Sequence, residues 1–423
     1  MLPPMDTLVP LPRLARRVVV TTVALALLAT PFASAADAAI TKGFRAKVTA
    51  DLAPGINFRF GRLTTTGGRR VEIRVGTVDP RNERVELKAL LSNGKVVKRE
   101  VVTRITLAKE RPGFKAMIAT NGDMSTRQRV DAYAAPHSMA VSNGELLLTT
   151  PCTRPMLGID AEGNAAMGMV RAHVSAIPPG KERPTPIHKV NMHRDDGHIV
   201  LYTKRFANST QTTYGGVEVV LEMGKLEPNG SQQVRVLKVR KGGGNTKLSW
   251  GKAVLSVKNP KHKWVYQLKP GQRFTIQTQV VQKVDKPCGG TLKPATGFGD
   301  IVEAQGGNYF TLRKGRNAAP SSSVYAPGSQ RHPRTNFGLT ADGKVLMVVA
   351  DGRRAGSAGM TLKEMGQLMK SLGAVNAFNG DGGGSSVIAR YMAGKDSFAV
   401  ANRPSDGRQR PATQAFAAFA ITD

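Results

Sequence analysis

Ala374-Val375-Asn376-Ala377-Phe378-Asn379-Gly380-Asp381-Gly382-Gly383-Gly384-Ser385-Ser386 is the stretch on which the fold turns. A largely apolar run halts at an amide, a carboxylate, a cluster of glycines and two hydroxyls. Glycine lets backbone approach a ligand closely. Freed N–H groups and hydroxyls there can hold an anion. A plain turn needs fewer glycines than this, so the stretch reads as a strand running into a ligand loop.

Working outward, Val345-Leu346-Met347-Val348-Val349-Ala350 is a short apolar run that reads as a buried strand ending at Asp351-Gly352-Arg353-Arg354. A helix follows. Thr361 and Glu364 have the spacing of a capping box, Leu362, Met365, Leu368, Met369 and Leu372 form an apolar stripe, and Gly373 ends it. Strand, helix and strand in this order predict parallel strands with their C-terminal ends on one edge. Asp351, Arg353, Asn379 and Asp381 should then gather where open sheets bind ligands. Phe114 to Ala119 is a third such run, ending at Thr120-Asn121-Gly122-Asp123.

The remainder is β-rich. Val71 to Val75, Val85 to Leu91 and Val97 to Ile105 read as strands, with turns at Asp79-Pro80 and Asn93-Gly94. Further strands are expected at Val234 to Val239, Ala253 to Val257 and Phe274 to Val281. The expected fold class is α+β: mixed β-sheets, with a strand–helix–strand unit carrying the site. The expected organisation is a signal peptide over 1–35, a β-rich region over 36–110, and a main domain over 111–423 with a β-rich insert at about 222–290.

Motifs in a fixed order carry a family resemblance. They are Arg334-Thr335-Asn336-Phe337-Gly338, Ala350-Asp351-Gly352-Arg353, Gly359-Met360-Thr361-Leu362, Asn379 to Ser386, and Asn402-Arg403-Pro404-Ser405-Asp406-Gly407-Arg408-Gln409-Arg410. Looser matches lie at Asn121-Gly122-Asp123, Asn191 with Arg194, Leu201-Tyr202-Thr203 and Gly216 to Val220. From about Pro54 onward the chain resembles the phosphodiester glycosidase domain family. It departs at Gly380, where the family usually has leucine, and at Gln409, where it usually has glutamate.

The resemblance implies hydrolysis of sugar-1-phosphodiesters by cleavage at the anomeric carbon. That chemistry needs a carboxylate near an oxocarbenium-like centre and cations on the departing phosphate. Candidate catalytic carboxylates are Asp381, Asp351, Glu218 and Asp123. Candidate substrate-binding residues are Arg334, Thr335, Arg353, Asn121, Asn379, Gly382, Gly383, Gly384, Ser385, Ser386, Asn402 and Arg410. Glu364 is accounted for by its cap. No cofactor is expected, although a divalent cation on Asp351, Asp381 and Asn379 would make a phosphodiesterase instead. A non-catalytic binder of anionic wall polymer is the third reading.

Arg13, Arg16 and Arg17 precede the apolar run Val18 to Leu28, and Ala33-Ser34-Ala35 follows. This is the pattern of a cleaved export signal. Secretion, to the cell exterior or the cell wall, is therefore expected, with no membrane attachment after cleavage. Cys152 and Cys288 are the two cysteines, and outside the cell such a pair predicts one disulfide. Formal charge is +31, from 61 basic and 30 acidic side chains. Without residues 1–35 the balance is 58 against 29, or +29. Such a field concentrates polyanions. Aromatic content is 5% and no nucleic-acid module is evident, so the expected partner is an anionic, phosphate-containing glycan.

Overall fold

The computed structural model describes residues 40–65, 67–125, 135–283, 288, 290–321 and 329–422. The expected export signal lies outside these residues, as do Ser322 and Ser323 of the polar segment before Arg334.

Three β-sheets organise the described chain. An eight-stranded sheet runs, in spatial order, Ile40–Ala53, Ile56–Thr65, Arg70–Val78, Val345–Ala350, Arg334–Thr340, Ala374–Asn379, Tyr309–Arg313 and Arg316–Asn317. A five-stranded sheet runs Ser397–Val400, Ile388–Met392, Phe114–Asn121, Gln414–Ile421 and Val85–Leu91. Every pairing in both is antiparallel. Strands between Ala140 and Gly306 build a third, 13-stranded sheet, to which residues 222–290 contribute the strands Gly230–Lys241, Lys252–Val257 and Arg273–Lys283.

The first two sheets face each other across an aromatic core. Phe337 meets Phe378 at 5.5 Å and Phe416 edge-on at 5.5 Å, with Ile118 and Met347 packed in the same cluster. Truncating a side chain such as Phe337 to alanine would cost about 3–5 kcal/mol. The helix Leu362–Ser371 covers the outer face of the eight-stranded sheet through Met365, Leu368 and Met369. Its capping box is formed: Glu364 N donates to Thr361 Oγ1 at 3.1 Å, and Thr361 N donates to Glu364 Oε2 at 2.9 Å. The short helix Val102–Leu107 covers the five-stranded sheet through Val102 and Ile105.

The α+β expectation fails. The fold is predominantly β, and its helices are single short segments laid on sheet faces. Val345–Ala350 and Ala374–Asn379 run the same way, as expected, but form no paired strand–helix–strand unit, because Arg334–Thr340 lies between them, antiparallel to each. The physical reason is local. Arg334–Thr340 and Val345–Ala350 are joined by a tight turn, closed by Thr340 N donating to Lys344 O at 3.0 Å and Lys344 N donating to Thr340 Oγ1 at 2.9 Å. A short hairpin closes with less loop entropy than a crossover. The helix then returns the chain to the far side of that hairpin. Val97 to Ile105, expected as a strand, enters the short helix at Val102 instead.

The predicted disulfide is present between Cys152 and Cys288, spanning 136 residues. No helix among the described residues is long and apolar enough to cross a membrane.

Candidate active site

Two strand ends from facing sheets are stitched into one wall. Asn121 ends a strand of the five-stranded sheet, and Asn379 ends one of the eight-stranded sheet. Asn121 Nδ2 donates to Asp381 O at 2.9 Å, and Asp381 N donates to Gly122 O at 3.0 Å. Asn121 Oδ1 also accepts from Thr335 Oγ1 at 2.9 Å and from Val387 N at 3.0 Å. Asn121 and Thr335 are thus fully buried fasteners behind the site.

In front of this wall lies a cavity of about 710 Å³. Asp123, Asn379, Asp381, Gly382, Gly383, Gly384, Ser385, Arg334, Arg353 and Arg410 all line it. The structure therefore brings together two of the four candidate carboxylates, three arginines and the glycine loop.

Both carboxylates are perturbed in the same direction. Burial pushes Asp123 up to about 6, against the lowering effect of its bonds from Ser138 and Met124. Its Oδ2 accepts from Ser138 N at 2.7 Å and its Oδ1 from Met124 N at 2.8 Å. Burial likewise raises Asp381 to about 6, opposed by Ser385 and the Gly382 N–H and reinforced by the charge of Asp123. The charge of Asp123 thus adds to the cost of ionising Asp381.

The arginines are not held by these carboxylates. Arg334 is 5% exposed, with Nε donating to Met360 O at 3.1 Å and Nη2 to Gln330 O at 3.1 Å. Burial and then the neighbouring Arg353 lower its pKa to about 10, an unusual strain for a guanidinium. Arg353 takes a left-handed backbone, φ +59°, and donates from Nη2 to His332 Nδ1 at 2.8 Å. That places the His332 ring proton on Nε2, toward Gln330 Oε1 at 3.3 Å. Burial, then Arg334 and Arg353, push His332 below its usual pKa. Arg410 pairs with Asp406, Nε to Oδ2 at 3.0 Å. Gly384 is where the loop passes this pair. A Cβ there would lie 2.3 Å from Arg410 Nη2 and from both Asp406 oxygens.

The other candidates lie elsewhere. Asp351 is 1% exposed and outside the cavity lining. It bonds Arg74, accepts from Arg354 Nη2 at 3.1 Å, Asn402 Nδ2 at 2.9 Å and Arg403 N at 3.2 Å. Asn402 in turn donates to Ser386 O at 3.1 Å. Asp351 therefore organises the loops that carry Arg353 and Arg403, and Ser386 and Asn402 sit behind the glycine turn. Glu218 belongs to the 13-stranded sheet and is fully buried. Burial alone would raise its pKa; bonds from Thr246, Thr212, Thr210 and Ser256 outweigh this and hold it below the usual range. Gln409, the departure from the family pattern, is also outside the lining: its Oε1 accepts from Thr103 N at 3.3 Å, at the start of a helix.

Several lining residues escaped the sequence reading. His137, which belongs to none of the motifs, lines the cavity, and burial lowers its pKa to about 4. Asn308 lines it too, placed by Gly307, whose missing Cβ would sit 2.5 Å from Asn379 O. Its N donates to that same oxygen at 2.9 Å. The signal was there in Gly306-Gly307-Asn308, a second glycine pair at a strand end. Arg99 and Gln330 complete the rim.

Residues 229–419 match the model of the phosphodiester glycosidase family. Arg334, Arg353, Asp381 and Arg410 fall inside that range, whereas Asn121 and Asp123 precede it. Among curated proteins, the SPbeta prophage-derived protein YomE of Bacillus subtilis (strain 168) is 39% identical over 88 residues, 21% of this chain. The match spans 13% of YomE, a small fraction of its length. Among solved structures, a Synechocystis protein is similar with TM-score 0.66 and 18% identity, over 88% of this chain and 63% of that one. A Burkholderia pseudomallei K96243 protein is similar with TM-score 0.62 and 19% identity, over 83% of this chain and 74% of that one. At those identities the likeness is one of fold.

Proposed function

We propose, with the phosphodiester glycosidase match of residues 229–419 as premise, that the chain is a secreted hydrolase. Its substrates would be sugar-1-phosphodiesters in anionic glycans, cleaved between the anomeric carbon and oxygen. The observation that carries this reading is the pairing of Asp123 and Asp381, both raised to about 6, with arginines across one cavity.

Two carboxyls each raised to about 6 hold about one proton between them near pH 6. The ionised one serves the anomeric carbon, as nucleophile or by activating water, while the protonated one donates a hydrogen bond. Phosphate leaves more readily than a sugar alkoxide, so the heavier demand falls on the cations. Arg334, Arg353 and Arg410 place guanidinium charge and N–H donors beside its oxygens. In an enclosed cavity such donors act more strongly than in water. Asp381, in the glycine turn between Asn121 and Arg410, is the carboxylate we assign to the anomeric carbon; Asp123 is its proton-holding partner.

Hydrolysis of a sugar-1-phosphodiester in ¹⁸O-labelled water tests this. The expected products are a reducing sugar bearing the label on its anomeric hydroxyl and an unlabelled phosphomonoester. Label on phosphate, with activity lost in chelator, would replace this reading with a metal-dependent phosphodiesterase.

A further inference from the structure

Outside the cavity, one exposed aromatic residue stands among cations. Trp250 sits in the turn Ser249-Trp250-Gly251-Lys252, closed by Lys252 N donating to Ser249 O at 3.3 Å, with Gly251 at φ +71°. Met223 N donates to Gly251 O at 3.1 Å and fixes the turn on the sheet. The indole is 63% exposed, although Arg205 lies 4.8 Å and Lys95 5.6 Å from its ring centre. The ring is thus a surface aromatic held in a fixed place beside two cations.

The cations are fixed as well. Lys95 bonds Lys204 O through its ammonium, and Val96 N donates to Arg205 O at 2.8 Å. Burial, then Lys204, Arg205 and Lys98, drag Lys95 down to about 8, the mark of positive charges crowded without enough acid. Glu145, paired with Arg205 at 2.6 Å, is the acid at that point. A small cavity of about 130 Å³ shares Gly94 and Arg205 with this patch and adds Lys109 and Arg111, with Lys88 beside Glu86.

The patch is also wired to the active site by sequence. Lys95-Val96-Val97-Lys98-Arg99 leads from Trp250 to Arg99 on the cavity rim, with Lys98 and Arg99 exposed. Four residues span at most about 14 Å of chain.

We propose that Trp250, with Lys95, Lys98 and Arg205, forms a second binding site for the same polymer that the cavity cleaves. A phosphate-bearing glycan would lay a sugar face on the indole and its phosphates on the cations, then run along Lys98 and Arg99 into the cavity. The sugar's C–H face and the ring's negative face attract each other, and the surrounding cations select anionic chains over neutral ones. This rests on the glycan reading above and adds a distal subsite to it.

The test compares wild type with Trp250→Ala on three probes: phosphorylated dextran, neutral dextran of equal length, and a small soluble sugar-1-phosphodiester. Binding of phosphorylated dextran should weaken about tenfold in Trp250→Ala and fall steeply with salt, while turnover of the small substrate stays unchanged. Trp250→Phe should restore most of the binding. In a Trp264→Phe background, phosphorylated dextran should quench the remaining tryptophan emission. Equal binding of both dextrans, or binding indifferent to Trp250→Ala, would overturn the subsite. Tighter binding of single-stranded DNA than of phosphorylated dextran would overturn the glycan as its ligand. Failure of the small substrate to turn over, with Trp250-dependent binding of phosphorylated dextran intact, would sink the catalytic reading and leave the subsite standing.

Discussion

Asp351 and Asp381 follow the two strands that flank Arg334–Thr340 in one sheet, thirty residues apart in sequence, yet their surroundings are opposite. Asp351 is enclosed by Arg74 and Arg354 and by amide donors from Asn402 and Arg403. Asp381 meets neutral donors, Gly382 N at 2.9 Å and Ser385, and another carboxyl group, Asp123. A carboxylate wrapped in cations has its charge fully committed. One flanked by another acid at a cavity wall keeps a proton within reach at working pH. The strand end supplies position, and the neighbouring side chains decide whether position becomes chemistry.

The sharpest way to break this comparison is to replace each carboxylate by its amide. Asp381→Asn should lower kcat by roughly 10³-fold or more without any loss of folding stability. Asp351→Asn should do the reverse. Removing one partner of a buried ionic network costs about 3–5 kcal/mol, read as a fall in the denaturant midpoint, while folded protein keeps most of its turnover. A folded, inert Asp351→Asn protein would move Asp351 into the chemistry and collapse the distinction.

Gly384 offers a smaller, more selective perturbation. A methyl group there must displace the Arg410–Asp406 pair. Gly384→Ala should raise KM about tenfold, with kcat falling less, since a misplaced cation weakens phosphate seating before it alters the carboxyl pair. Unchanged KM would remove Arg410 from the phosphate subsite.

The smallest effect concerns pH and stability. A carboxyl raised to about 6 in the folded protein contributes stability that is full below its unfolded pKa and is lost as pH rises through about 6. Asp381→Asn has no such loss. Its stability relative to wild type should therefore be near zero at pH 4 and positive at pH 7.5, by about 2 kcal/mol. His137, lowered to about 4, acts in the opposite direction, losing stability as pH falls below its unfolded value, but it is common to both proteins and cancels. Thermal melts across pH would show the trend; a difference that shrinks on going from pH 4 to 7.5 would contradict the raised pKa.

Much of the site was legible because turn chemistry is local. Glycine clusters at strand ends marked Asn121 to Asp123 and Asn379 to Ser386, and the capping box marked the helix at Thr361. The sheet order was not legible. Whether Val345–Ala350 pairs with Ala374–Asn379 or with Arg334–Thr340 depends on a hairpin whose strand carries Arg334, Thr335 and Asn336, polar residues that read as a motif rather than a strand. Nor could sequence rank the carboxylates. Asp351 owes its role to Arg74, 277 residues distant along the chain, and Glu218 owes its own to Thr246 and Ser256 on other segments.

The crowding of Arg334 by Arg353 has a consequence for throughput. On the proposed reaction, a diester carrying one negative charge becomes a monoester carrying about −1.5 to −2 at pH 7. A pocket already short of counter-charge grips the second species harder than the first. On that reading product inhibition is expected, with inorganic phosphate as a competitor.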